Sequence, residues 1–177
     1  MAIKKLISLS GTFPNVHLIG INTGMQDYRL AYFINKITSL KLERLDNLPV
    51  FNERLKVIRN YCLYSYDDTS QRMSYYLIGN NHLQGKMIEQ YSQADFFLLL
   101  LGPQNTERNR ELLTLLRQIN TVTFVFVTVT SKIKELDGII QDLELHILNL
   151  NSRSTTNQPE IPITVESVYN TSASLFR

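Results

Sequence analysis

The chain has 177 residues, enough for one domain and short for two. Hydrophobic residues make up 44% and charged residues 19%, which excludes a disordered or collagen-like chain. Eighteen basic against sixteen acidic side chains leave a net charge of +2, which excludes a polycationic nucleic-acid arm and weakens a membrane-surface reading.

A domain of this size buries roughly 70% of its unfolded surface, so it needs no disulfide or metal to fold. The single cysteine, Cys62, has no partner for an internal disulfide, and with three histidines it makes no cysteine-rich zinc site. No apolar run approaches the roughly 18 to 20 residues that span a bilayer. Ser8 and Ser10 interrupt the short apolar segment after Lys4 and Lys5, so no signal peptide is expected and the setting reads as cytoplasmic.

Val16 to Asn22 is apolar at nearly every position and reads as a strand buried on both faces. Thr23-Gly24 breaks it, with Gly24 expected at a positive φ. A helix follows over Asp27 to Ser39, with Asp27 as its N-cap. Leu30, Phe33, Ile34, Ile37 and Leu40 fall on one side, Arg29, Tyr32, Lys36 and Ser39 on the other. Lys41 to Leu45 reads as a short strand, followed by a loop containing Pro49. Tyr61 to Tyr66 and Met73 to Gly79 flank the polar segment Asp67 to Gln71 and read as a β-hairpin. A short helix is expected from Lys86 to Gln93.

Asp95 to Leu101 is a second all-apolar strand, closed by Gly102-Pro103. Thr106 stands as N-cap of the next helix, with Glu107 complementing its dipole and Leu112, Leu113, Leu115, Leu116 and Ile119 as its buried face. Thr121 to Thr130 alternates as a strand. Ser131 is expected to cap a short helix ended by Gly138, and Leu143 to Leu150 to form a final strand. These elements predict an α+β or α/β domain over residues 1–150: a single mixed sheet with helices packed on it, in the order β-α-β-β-β-α-β-α-β. Residues 151–177 turn polar and read as a weakly ordered tail, with Ile161, Ile163, Val165 and Val168 as material for an edge strand.

Three segments resemble a bacterial family named for an IPExxxVDY motif. The first is Leu18-Ile19-Gly20-Ile21 followed by the helix start Asp27-Tyr28-Arg29-Leu30-Ala31 and on to Lys36. The second is Ile88 to Phe96: Ile88 and Asp95 agree with the naming motif, while Glu89, Gln90, Ala94 and Phe96 depart from it. The third is Tyr75 to Asn80, similar to the family hairpin. The resemblance spans Val16 to Val129 and marks a divergent member. It implies a housekeeping cytoplasmic setting and carries no activity, ligand or catalytic residue.

Motifs for chemistry are sparse. Gly20 and Gly24 lack the glycine and lysine pattern of a phosphate loop. Asp67 and Asp68 fit a turn better than a metal site. His17, His82 and His146 are isolated, and His17 reads as a satisfied core histidine. Cys62 reads as a small core hydrophobe. No hydrolase, zinc-protease or dithiol motif occurs, so no catalytic residue, metal or cofactor is expected.

Two groups of binding candidates remain. Arg29, Tyr32 and Lys36 line the exposed stripe of the first helix. Tyr64 and Tyr75 belong to the tyrosine-rich hairpin, a residue type enriched at protein interfaces. The leading expectation is a non-enzymatic domain that binds a protein partner or itself, with no membrane or DNA contact. Two alternatives stay open: an RNA-binding module stacking bases on the hairpin tyrosines, and an enzyme of unrecognised type.

Overall fold

The computed structural model describes residues 15–156. The chain parts into two compact units, Met1–His146 and Ile147–Arg177. In the second, the described residues 147–156 are the last turns of a helix.

Strand β1 (Val16–Thr23) is buried at Leu18, Ile19 and Ile21, as its unbroken apolar run requires. Helix α1 (Asp27–Ile37) turns Leu30, Ala31 and Ile34 inward. Strands β2 (Glu43–Asn52), β3 (Val57–Asp68) and β4 (Met73–Gly79) form an antiparallel meander. A small hairpin, β5 (Asn81–His82) and β6 (Gly85–Lys86), leads through a 3-10 turn at Glu89–Tyr91 to β7 (Phe96–Leu101). Helix α2 (Thr106–Arg117), strand β8 (Val122–Val127) and helix α3 (Leu136–Thr156) follow.

The six long strands make one sheet in the order β2-β3-β4-β7-β1-β8. The α+β class holds. The sheet is antiparallel at each of its five pairings, not mixed. The helix-linked strands are indeed parallel to each other, β1 with β2 and β7 with β8. Other strands lie between them, so no parallel pair becomes a neighbour.

One face of the sheet presents Ile19, Ile21, Tyr64, Tyr75, Leu77, Leu98 and Leu100 to Leu30 and Ile34 of α1 and Leu112 and Leu116 of α2. The alternate positions Leu18, Leu63, Ile78, Phe97 and Leu99 are equally buried. They face the other way by strand alternation. On that side α3 buries Leu136, Ile139, Ile140 and Leu143, and its Asp142 accepts the Phe51 N–H at 2.9 Å. The sheet is therefore covered on both faces, which is why β1 and β7 lack an alternating pattern.

Several expected elements differ. The strand expected over Lys41 to Leu45 runs on to Asn52 through Pro49, because β2 is an edge strand, where a missing N–H is tolerated. The helix expected from Lys86 to Gln93 gives way to β6 and the 3-10 turn. Here the buried Asn80 side chain captures the backbone: its Oδ1 accepts the Ile88 N–H at 2.9 Å, and its Nδ2 donates to Ala94 at 2.8 Å and Tyr91 at 3.3 Å. Asn105, not Thr106, caps α2, its Oδ1 accepting from the Arg108 N–H at 3.0 Å. Gln26, not Asp27, holds the N-cap position of α1.

Gly24 carries no positive φ; Gly102 does, at 145°, where a Cβ would sit 2.5 Å from the Arg72 carbonyl. Ser131 lies in a separate 3-10 turn, and α3 runs through Gly138. The strand expected over Leu143 to Leu150 is helical: Leu136, Ile139, Ile140 and Leu143 recur at helical spacing, and that stripe outweighs the short alternation after it. The helix runs into the expected polar tail, and the edge-strand material at Ile161 to Val168 lies outside the described residues.

Asn80→Ala leaves the Ile88 N–H buried without its partner, while the Ala94 carbonyl keeps Lys86 Nζ at 3.1 Å. The expected loss is about 2 kcal/mol in equilibrium urea unfolding, the cost of one unsatisfied buried group.

Candidate interaction surface

The two groups of binding candidates fall in opposite environments. Arg29 and Lys36 are exposed on α1, and Tyr32 is 60% exposed. Tyr28, one turn before Tyr32, is 63% exposed. Tyr64 and Tyr75 lie beneath the helices at 6% and 0% exposure. The structure does not bring the five residues together, and it leaves neither buried ring a free face on which a base could stack.

Both buried tyrosines sit under an arginine tied to an aspartate. The Tyr64 hydroxyl donates to Asp27 Oδ2 at 3.2 Å. Arg44 from β2 lies over the Tyr64 ring, 5.4 Å from its centroid, with its Nε 3.8 Å from the same carboxylate. Thus Asp27, free of capping duty, links α1 to the sheet. Burial pushes the Tyr64 hydroxyl up to about 12, and the Asp27 charge and hydrogen bond push the same way. Tyr75 stacks on Tyr66 with centroids 6.1 Å apart and lies 5.6 Å beneath the Arg108 guanidinium. Arg108 is held by Asp68 at 3.2 Å.

Cys62 is half-buried, and its Sγ fills the place a side chain at Gly79 would need. Burial pushes its thiol up, away from reactivity. Among the described residues the His17 Nε2 is buried without a hydrogen-bond partner, so that histidine is not satisfied as its strand position suggested. Among the described residues, no three His, Cys, Asp or Glu side chains gather as metal ligands, and no helix is long and apolar enough to cross a membrane.

One exposed apolar grouping among the described residues is not foreshadowed by the sequence. Residues 57–61 of β3 run past the end of β4, so β2 and β3 continue as a two-stranded arm of about 17 Å. One face of the arm is buried: Leu48 and Tyr61 are opposite each other at 0% and 3% exposure, Val50 and Arg59 at 8% and 2%. The other face is bare. Phe51 and Ile58 are directly opposite each other, so their side chains share that face, at 46% and 65% exposure. Leu55 in the turn is 51% exposed. Lys56 carries its Nζ 5.9 Å from the Phe51 ring centroid.

No family model matches the chain, and no curated protein matches it.

The raised Tyr64 hydroxyl makes a titration test. A tyrosine whose folded value lies above its ordinary 10.0 adds stability below pH 10 and loses it as pH rises toward 12. An ultraviolet difference titration of wild type against Tyr64→Phe should therefore centre near pH 12. Between pH 10 and 12 the wild type should lose stability relative to that variant.

Proposed function

We propose that this chain is a protein-interaction domain that self-associates through the bare face of the β2–β3 arm. The observation that carries the reading is the contrast between the two faces of one arm: Leu48, Val50, Arg59 and Tyr61 buried on one side, Phe51 and Ile58 exposed on the other. With Leu55 in the adjoining turn the apolar surface is on the order of 300 Å², the size of the largest and often functional patch on a protein surface.

A second copy of the chain is the favoured partner. Two such arms meeting about a two-fold axis cover each other's Phe51 and Ile58 with the same residues. The turn also carries both charge signs, Glu53 beside Arg54 and Lys56. An antiparallel approach sets Glu53 of one copy against Lys56 of the other without like-charge conflict. The patch is small for an obligate interface, so the association is reversible and of micromolar strength. Divergent kinship with the IPExxxVDY family is part of this proposal, supported by the strand and helix formed by Leu18–Ile21 and Asp27–Lys36; it adds no activity.

Sedimentation across a concentration series tests it. The wild type should shift from one to two chain masses. Ile58→Asp should stay at one chain mass while its urea midpoint changes by no more than about 0.5 kcal/mol in stability, since Ile58 is exposed. A wild type that is monomeric at about 100 μM, well above a micromolar Kd, or an Ile58→Asp variant that still dimerises, overturns the proposal.

A further inference from the structure

The six-stranded sheet ends in two edges, β2 and β8, and the sequence treats them differently. An edge strand shows a row of unpaired N–H and C=O groups, which proteins ordinarily blunt with charged residues or proline. Strand β2 carries Glu43, Arg44, Asp46 and Pro49. Strand β8 has no such protection: from Gln118 to Ser131 the chain holds no charged residue and no proline.

The register shows which groups of β8 are free. The Thr128 N–H donates to the Leu18 carbonyl at 3.0 Å, and hydrogen-bonded pairs alternate along an antiparallel ladder. Phe126 opposite Gly20 and Phe124 opposite Asn22 are therefore bonded to β1. Val127 and Val125, opposite Ile19 and Ile21, turn their N–H and C=O groups away from it. The Ile21 carbonyl agrees, since it accepts from the Asp95 N–H on the β7 side. Among the described residues no strand lies beyond β8. Past Val127, the Val129 N–H donates to the Tyr91 hydroxyl at 3.1 Å, which bounds the free stretch.

The side chains along this edge are of two kinds. Phe124 is 41% exposed and Val127 is 56% exposed, on opposite faces of the sheet by strand alternation. Arg117, at the end of α2, donates from Nη2 to the outward Val125 carbonyl at 3.3 Å, which places its guanidinium at the edge. Arg117 is exposed and makes no ion pair among the described residues.

We propose that β8 is a docking edge for an extended segment of a partner protein. Backbone groups left unpaired at every second residue match another extended backbone, and an apolar edge without charge gives that backbone nothing to repel it. The segment runs antiparallel to β8, the stronger pairing. Its apolar side chains cover Phe124 on one face. On the other it sets β-branched residues against Val127 and one carboxylate against Arg117, the charge that lacks a counter-ion. The proposal rests on reading the chain as an interaction domain and is independent of the arm, which belongs to the opposite edge of the sheet.

Isothermal titration and amide hydrogen exchange of the full chain test this with one synthetic peptide, acetyl-Thr-Val-Thr-Val-Glu-Val-Thr-Val-Thr-amide. Saturable binding of one peptide per chain is expected, with slowed exchange at the Val125 and Val127 amides. Glutamine in place of the peptide's glutamate should weaken binding about threefold, the size of one exposed ion pair. The same change should cost nothing when the chain carries Arg117→Gln. Val127→Pro removes one N–H from an edge that tolerates proline, and should weaken binding about fivefold. Absence of saturable binding overturns the proposal, and so does a glutamine peptide that loses as much on Arg117→Gln as on the wild type. Val125 and Val127 amides already protected before peptide is added also overturn it, because residues 1–14 or a second copy then hold the edge. The arm variant Ile58→Asp should bind the peptide as the wild type does, so failure of the self-association reading and failure of this one are told apart.

Discussion

Strand β7 is Phe-Phe-Leu-Leu-Leu-Leu, apolar at every position. Nothing in that pattern tells it which residue to set opposite which, because a slip by one place still buries an apolar side chain on either face. The register has to come from its polar end. Asp95, immediately before the strand, receives Asn22 Nδ2 at 3.1 Å and the Thr23 N–H at 3.0 Å on one oxygen. On the other oxygen it receives Asn81 Nδ2 at 3.0 Å and Lys86 Nζ at 3.4 Å. Its N–H donates to Ile21, and its carbonyl accepts from Asn80. A carboxylate with several donors is a strong and geometrically demanding centre. It fixes β7 against β1 on one side and β4 on the other. The facing of every side chain in the middle of the sheet depends on it.

What could be read from the sequence follows from the same distinction. The continuous apolar runs at Val16 and Phe96 marked strands, and the 3.6-residue spacing after Asp27 and Thr106 marked helices, because those periods are properties of the elements themselves. The hairpin of Tyr64 and Tyr75 was legible as a hairpin. The burial of those tyrosines was not: alternation shows that Tyr75 and Tyr76 face opposite ways, and it does not show that both faces are covered. The exposed Arg29, Tyr32 and Lys36 were placed well because an amphipathic helix declares its outer face. The arm was hidden by Pro49, read as an interruption.

The two tyrosine sites show one device used twice with different completion. Each ring is covered by an arginine, Arg44 or Arg108, and each arginine is anchored by an aspartate, Asp27 or Asp68. At Tyr64 the aspartate also accepts the hydroxyl proton, which closes the circuit. At Tyr75 the aspartate is engaged by Ser70 and Gln71, and the hydroxyl lies beside Arg108 instead. The first arrangement fastens α1 to the sheet. The second fastens α2.

The strand order sets the order of events in synthesis. The meander β2-β3-β4 joins neighbours through short connections, so its pairings close as soon as those residues leave the ribosome. Strand β1 is made first of all, but its neighbours are β7 and β8, and the last pairing partner it needs is Val127, opposite Ile19. Val-His-Leu-Ile-Gly-Ile-Asn must therefore wait, apolar and unpaired, until β7 is made, and with one edge open until β8 follows, more than a hundred residues after Asn22. The earliest strand is the last to become fully paired, and its vulnerability to misassembly grows with every pause in between.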